Sequence, residues 1–408
     1  MVLPEDFTQL MRSHLGDERA EALFAGLNQS PTVSVRLNPR KTRHLQPTPE
    51  LLADPVPWCS NAYYLSEHKA FTFDPLFHAG AYYVQDASSM YLAEVLRKWL
   101  FAPHPSPITA LDLCAAPGGK STLLASCLPE GSTLISNEPI RKRAQVLAEN
   151  MQKWGYPNCY VTCNYPRDFA HFRESFDFIL ADVPCSGEGM FRKDPVAISE
   201  WSLDNVRQCA ARQRDILRDI LPTLKPDGLL VYSTCTFNRF EDEEQVQWLQ
   251  SEYNLTLLEE RHFFPGHDRG EGLYIAALRR TEDAKQTEAT AYPEPQGSLP
   301  PLKPLKSLKS LKTLNVIADI DDYNRQFSDC QLSNCLIELS YDDAISYLRH
   351  EALHIQAPRG FFIVTYRALP LGQVKSVGSR LNNLYPQEWR IRTTYSPTEP
   401  LPELFLID

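Results

Sequence analysis

The chain has 408 residues, 43% of them hydrophobic and 23% charged, with a formal net charge of −10. At ~100–200 residues per domain this length predicts two to three domains, and the overall acidity excludes a protein that grips nucleic acid through a uniformly basic surface. No apolar run approaches the ~18 residues of a membrane span, and MVLPEDFTQL lacks the basic-then-apolar form of a signal peptide, so a cytoplasmic protein with no membrane partner is expected.

Residues 1–75 read as a mixed α+β segment, in which helical spacing of Phe7, Leu10, Met11 and Leu15 gives way to alternation in VSVRLN. From 76 to 280 strands, Gly-rich turns and helices alternate, the signature of a mostly parallel, doubly wound α/β sheet. Its expected strands are ITALDLC, STLISNE, CYVTCN, FDFILAD and GLLVYSTC, short apolar runs of the kind that is buried on both faces. Residues 281–315, rich in Pro, Lys and Ser with an LKxLKx tract, fit neither helix nor strand and read as an exposed linker. Residues 316–408 then supply a small α+β domain: SYDDAISYLRHEAL as an amphipathic helix, FFIVTY as a strand, and LGQVKSVGSRLNNLYP as loop-rich structure.

Ten cysteines are present, without a CxxC pair and without histidines at zinc-ligand spacing, so neither a disulfide framework nor a metal is expected. In ALDLCAAPGGKST a strand runs through a Gly-rich turn into a helix, the place where open α/β sheets hold a ligand. GGKS echoes a triphosphate-binding loop. Against that reading, Cys114 replaces the first loop glycine and Pro117 removes an N–H from the phosphate cradle. S-adenosylmethionine, which carries no phosphate, fits better, and Glu138, twenty residues beyond Gly118, stands where an acid bonds ribose hydroxyls.

Two thiols then stand out. FDFILADVPCSGEGMFRKDP ends a strand in Asp182 and places Cys185 in a tight loop, while YSTCTFNRFEDEE presents Cys235 at the end of another strand. In a doubly wound sheet these strand ends face one crevice. Two thiols and a carboxylate suit carbon-5 methylation of a pyrimidine, in which a thiolate adds at C6 and an acid supports the charge developing at N3. The acids following Cys235 are read as helix-start chemistry, with Asn238 and Glu241 resembling a capping box.

The motifs YYVQDASSM, DLCAAPGGKST, NEPIRKRAQVLAENMQKWG, ILADVPCSGEGMFRKDP and LVYSTCTFNRFEDEE resemble those of the RNA cytosine-C5 methyltransferases of the Sun (Fmu) family, and within it the RsmF-like small-subunit rRNA enzymes. The resemblance runs from RLNPRK to VKSVGSRLNNLYPQEWRIR, with the linker excepted. It implies a Rossmann-like S-adenosylmethionine-dependent methyltransferase domain acting on rRNA, with Cys235 as nucleophile and Cys185 assisting product release. Cys114, Ala115, Ala116, Pro117, Gly118, Gly119 and Lys120, with Glu138 and Asp182, become the cofactor-contacting set, and Asp182 also faces the cytosine. Where many relatives carry an acid, this chain has Tyr165, leaving Tyr165 or Asn164 to meet the adenine side.

For RNA contact the candidates are Lys193 and Arg36, and in the C-terminal domain Lys375, Arg380, Arg390 and Arg392 with Tyr385 and Trp389, the two aromatics serving equally well as core. The expected partner is rRNA or the small ribosomal subunit, engaged by a monomer. A tRNA cytosine-5 methyltransferase and a non-catalytic ribosome-assembly protein are the competing readings.

Overall fold

The computed structural model describes residues 1–66, 70–101, 106–281, 310–331, 335–393, 395 and 404–406. Most of the expected linker, with most of its basic tract, lies outside the described residues. The chain packs as two compact units, each assembled from separated stretches: residues 1–32, 86–147 and 160–318 form the first, and 33–85, 148–159 and 319–408 the second. These boundaries cut through the expected 1–75 segment.

The first unit is built on an eight-stranded sheet. Its strands are β1 (Thr109–Asp112), β2 (Thr133–Asn137), β3 (Cys159–Thr162), β4 (Phe176–Asp182), β5 (Leu224–Thr234), β6 (Leu255–Phe263), β7 (Leu273–Arg280) and β8 (Val316–Asp319). They lie in the order β8-β3-β2-β1-β4-β5-β7-β6. β1 pairs in parallel with β2 and β4, and β4 with β5, whereas β7 runs antiparallel to both β5 and β6. All five strands expected from sequence are present. β6 and β7 were not expected, because LTLLEERHF is too charged to read as a buried strand; β6 lies at the sheet edge and is half-buried along most of its length.

Reversal of strand order on either side of β1 opens a crevice at the carboxyl ends of β1 and β4, where such sheets take ligands. The core beneath it joins Leu111, Ile135, Ile179, Leu230 and Tyr232 from adjacent strands to Phe169, Phe172 and Phe176. Two N-terminal helices, α1 (Glu5–Leu15) and α2 (Asp17–Leu27), bury Phe7, Met11, Leu23 and Leu27 against Phe191, Trp201, Phe237 and Phe264. Phe7 meets Phe191 and Trp201 edge-on at 5.1 and 5.5 Å between ring centres, a preferred aromatic geometry.

The second unit holds two small sheets. Val33–Leu37 lies between Ala62–Leu65 and Tyr82–Val84, antiparallel to both. The other sheet runs Leu336–Glu338, Gly360–Tyr366, Leu369–Ser376, Leu381–Asn383. The helix expected in SYDDAISYLRHEAL is Tyr341–Leu348, capped by Ser340 Oγ, which accepts from the Asp343 N–H. LGQVKSVGSRLNNL is strand–turn–strand rather than loop. Its backbone pairs antiparallel on both sides, and Gly372 is required because a Cβ there would stand 2.2 Å from the Tyr347 hydroxyl.

Among the described residues no helix is long and apolar enough to cross a membrane.

Candidate active site

The Gly-rich turn after β1 feeds α4 (Gly119–Cys127), which in the first unit follows the helices α1, α2 and α3 (Leu92–Trp99). Gly118 takes φ 115°, a left-handed conformation that favours glycine, and its carbonyl accepts from the Thr122 N–H at 2.8 Å. The turn is fixed from both sides. The Ala115 N–H donates to the Asn137 carbonyl at 2.8 Å, and Arg143 donates to the Ala116 carbonyl at 3.1 Å. Asn137 itself staples three strand ends: its amide donates to the carbonyls of Leu113 and Asn164 at 3.1 and 2.9 Å, and its oxygen accepts from the Asn164 N–H at 3.0 Å.

Three acids line this end of the sheet. Glu138 is only 1% exposed, so it is not the surface acid that its neighbours IRKRA suggest. One carboxylate oxygen accepts from the Ile140 N–H at 3.0 Å and the other lies 3.3 Å from Arg143. Asp112, at the tip of β1, accepts from Ser121 Oγ at 2.6 Å through Oδ2, while its buried Oδ1 has no partner. Burial pushes the Asp112 carboxyl up to about 7 despite the Ser121 bond. Burial, reinforced by Asp112 and Asp182, likewise holds the Cys114 thiol well above its ordinary range.

The third acid, Asp182, ends β4. Its Oδ2 receives Lys120 Nζ at 2.9 Å and its Oδ1 receives Ser233 Oγ at 2.6 Å. Burial works to lower Lys120, but Asp182 outweighs it and the ammonium is held above its ordinary range, within electrostatic reach of Cys235. Lys120, assigned from sequence to the cofactor loop, thus reaches the carboxylate beside the thiols.

The thiols of Cys185 and Cys235 stand 3.2 Å apart, both partly exposed, on the loops that follow β4 and β5. Those loops are laced together. Gly189 N–H donates to the Cys235 carbonyl at 2.8 Å, Phe237 N–H to Glu188 Oε2 at 2.6 Å, and Ser186 N–H to Glu241 Oε2 at 3.0 Å. The hydroxyls of Thr234 and Thr236, on either side of Cys235, both donate to Asp242 Oδ1, at 2.5 and 3.0 Å. Hydrogen bonding to Cys235, then burial, raises the Cys185 thiol well above its ordinary range, so Cys185 retains its proton.

The acids after Cys235 are therefore two groups. Glu243 and Glu244 occupy the first turn of a helix, Glu243–Glu252. Glu241 and Asp242 are fully buried and hold the cysteine loops; Asn238 Oδ1 does accept from the Glu241 N–H at 3.1 Å, but the Glu241 side chain bonds Asn238 Nδ2 and the Ser186 N–H rather than the Asn238 N–H of a capping box. With Asp112, Ser233 and Glu188 they escaped sequence reasoning. Only the STC motif and the acid ending β1 carried a signal for any of them.

Tyr165 lies 57% exposed beyond the end of β3, with the Arg167 guanidinium 5.1 Å from its ring centre. Asn164 is occupied, its Oδ1 accepting from the Asn315 N–H at 3.0 Å. Lys193 is exposed, 3.7 Å from Glu271.

In the second unit Arg36 departs from expectation. It is 1% exposed, donates to Gln85 Oε1 at 2.9 Å and stacks 4.5 Å from the Trp154 ring, so burial removes it from any RNA surface. Tyr385 is core, 5.3 Å from Tyr347, and Trp389 packs at the margin of the same cluster. Lys375 and Arg380 are exposed, as are Arg390 and Arg392, and Lys375 lies 5.5 Å from the exposed ring of Phe361.

Residues 99–279 match the family 16S rRNA methyltransferase RsmB/F, residues 3–87 the N-terminal domain of 16S rRNA methyltransferase RsmF, and residues 335–391 the methyltransferase RsmF PUA domain. Ribosomal RNA small subunit methyltransferase F of Pectobacterium atrosepticum is 34% identical over 74% of this chain, and the chain spans 64% of that relative's length. The protein of the same name from Cronobacter sakazakii is 30% identical over 95% of this chain and 96% of its own. Among solved structures, a methyltransferase homolog protein from Pyrococcus horikoshii gives TM-score 0.57 at 25% identity, covering 68% of this chain and 95% of that one. NSun6 from the same organism, solved with SFG, gives 0.56 at 18% over 69% and 99% and attests the fold. The region that builds the paired-thiol crevice carries the family match, the Cronobacter relative extends it over nearly the full length, and the chain belongs to the 16S rRNA methyltransferase RsmB/F family.

Proposed function

We propose that this protein is an S-adenosylmethionine-dependent RNA cytosine-C5 methyltransferase that acts in the cytoplasm on small-subunit rRNA. The observation that carries the reading is the 3.2 Å approach of Cys185 and Cys235 beside the Asp182–Lys120 pair. The family match and the names of the relatives support rRNA as substrate, and the PUA-domain match supports an RNA-gripping second unit.

The residues at the β1–β4 crevice fit the cofactor. A glycine-bent turn allows close approach, the partnerless Asp112 Oδ1 offers an acceptor, and buried Glu138 suits a ribose diol. Residues 114–120, with Glu138, Asp182 and the exposed Tyr165 ring on the adenine side, would hold it. S-adenosylmethionine, when bound, supplies an electrophilic methyl group.

This chain's own groups do the rest. Cys235 adds through sulfur to C6 of a cytosine drawn out of its stack, and the displaced electron pair makes C5 nucleophilic. Asp182, oriented by Lys120 and Ser233, passes the Cys235 thiol proton to N3 as the C6–S bond forms and then accepts a hydrogen bond from the N3–H of the adduct. Loss of the C5 proton to solvent, cleavage of the C6–S bond and return of the N3 proton to Asp182 restore the aromatic ring, while Cys185 protonates the departing Cys235 sulfur and regains its proton from Asp182. Asp242 and Glu241 keep the two thiols in register throughout.

The test is transfer of labelled methyl to purified small-subunit rRNA, naked or assembled, followed by bisulfite sequencing. A single new 5-methylcytosine, lost in Cys235→Ala, is expected. Methylation elsewhere on the base, or on tRNA alone, overturns the reading.

A further inference from the structure

Behind Cys235, on the far side of the two threonines, Asp242, Glu243 and His262 converge. One ligand atom from each lies within 4.8 Å of the other two. Asp242 is fully buried. Its Oδ1 is committed to Thr234 and Thr236, whereas Oδ2 has no partner and lies 3.9 Å from His262 Nδ1. Glu243 Oε2 is buried and unpartnered too, as is His262 Nδ1, while His262 Nε2 pairs with the other Glu243 oxygen, Oε1, at 3.2 Å. Stacking on Phe264, at 5.1 Å and 9° between ring planes, fixes the imidazole. Arg239 stands 3.9 Å from Glu243 Oε1, the other oxygen.

Buried polar atoms are almost always satisfied, and each exception calls for a missing partner. Here three neighbouring residues each carry an unpartnered buried atom and bring one ligand atom within 4.8 Å of the others, and burial, reinforced by the charges of Glu241, Glu243 and Glu188, raises the Asp242 carboxyl well above its ordinary range. A doubly protonated His262 would reach at most one oxygen of each acid, Asp242 Oδ2 and Glu243 Oε1, and would leave Glu243 Oε2 without a partner. A divalent cation satisfies all three residues and offsets the negative charge.

We propose that Asp242, Glu243 and His262 form a structural site for a divalent transition metal, Zn²⁺ by its ligand chemistry. One imidazole and two carboxylates are borderline ligands, suited to zinc rather than to the oxygen-only preference of Mg²⁺ or Ca²⁺. Tetrahedral zinc with ~2.0–2.2 Å bonds spaces its ligands about 3.4 Å apart, so the present spacing closes by side-chain rotation, and solvent completes the shell. The ion would tie β6, which carries His262, to the turn whose Asp242 holds both threonines beside Cys235. Sequence spacing gave no sign of a metal because the histidine lies nineteen residues beyond Glu243 on a strand that was not expected.

The test uses the full chain, stripped with a chelator and titrated with ZnCl₂ by calorimetry, with metal content by mass spectrometry and melting temperature as second readouts. About one equivalent should bind and raise the melting temperature. His262→Gln and Glu243→Gln should each lose both effects. A Cys185→Ser/Cys235→Ser double variant should keep them, which separates this site from zinc held by the paired thiols. The proposal is overturned if no zinc binds, if binding survives in both His262→Gln and Glu243→Gln, or if it vanishes with the cysteines. Should one single variant not fold, the other decides, since each removes one ligand.

Discussion

Replacing Cys185 by Ala should convert the enzyme into a trap that remains bonded to its RNA. The substitution removes one sulfur 3.2 Å from Cys235 and leaves the lacing of the two loops intact, because Gly189 to Cys235, Phe237 to Glu188 and Ser186 to Glu241 all use main-chain donors. The thiol is partly exposed, so the fold should lose less than about 1 kcal/mol. What is lost is a proton donor in contact with the leaving sulfur. A positioned acid or base contributes ~10²–10⁴-fold, equivalent to about 3–5 kcal/mol of barrier, so adduct breakdown should slow by that factor while formation is preserved. The assay is a denaturing gel of enzyme mixed with target rRNA and S-adenosylmethionine. Cys185→Ala should give a slow-migrating protein–RNA band, Cys235→Ala none, and the double variant none. A persistent band in Cys235→Ala, or wild-type turnover in Cys185→Ala, would refute the assignment of roles.

Lys120→Met should leave Asp182 with only Ser233, lowering methyl transfer by ~10²-fold with about 1 kcal/mol of destabilisation, because the pair is partly exposed; single-turnover rates and melting curves check both. Glu188 is held by burial at about 7 rather than 4.5, a raised carboxyl whose contribution to stability is complete below about 4.5 and lost as the pH rises to about 7 and above. That shift corresponds to at most about 3 kcal/mol, so Glu188→Gln should flatten the fall in unfolding free energy over this interval; an unchanged profile counts against it. Lys375→Ala and Arg380→Ala should weaken rRNA binding and each lower the salt slope by up to about one, whereas Arg36→Met should leave that slope unchanged and act on stability alone.

The parallel strands were legible because each is buried on both faces and reads as an unbroken apolar run. β6 was not, since an edge strand with one half-wet face can carry Glu259, Glu260 and Arg261. Cys185, Cys235 and Asp182 were legible as strand-end motifs. The sequence placed Lys120 in the Gly-rich loop but not its ion pair with Asp182, because a sequence shows a loop and not where a four-carbon stem reaches. The same limit misassigned Arg36: a basic run reports charge, while burial beneath Trp154 depends on residues far along the chain. Glu241 and Asp242 resembled exposed helix-start acids because nothing local distinguishes them from Glu243 and Glu244.

The first helices of the chain complete a core whose other half is made much later. Phe7 cannot meet Phe191 and Trp201, nor can Leu23 and Leu27 share a cluster with Phe237 and Phe264, until some 264 residues have been synthesised. At ~5–20 residues per second the nascent N-terminus waits on the order of ten seconds or more with its apolar faces unpaired. Such long-range closure slows folding, and it leaves this pair of helices open to aggregation until the rest of the chain is made. A shortened protein beginning at residue 86 would lack these helices and leave their partners Phe191, Trp201, Phe237 and Phe264 uncovered permanently, and would be expected to aggregate even though every residue of the paired-thiol crevice is present.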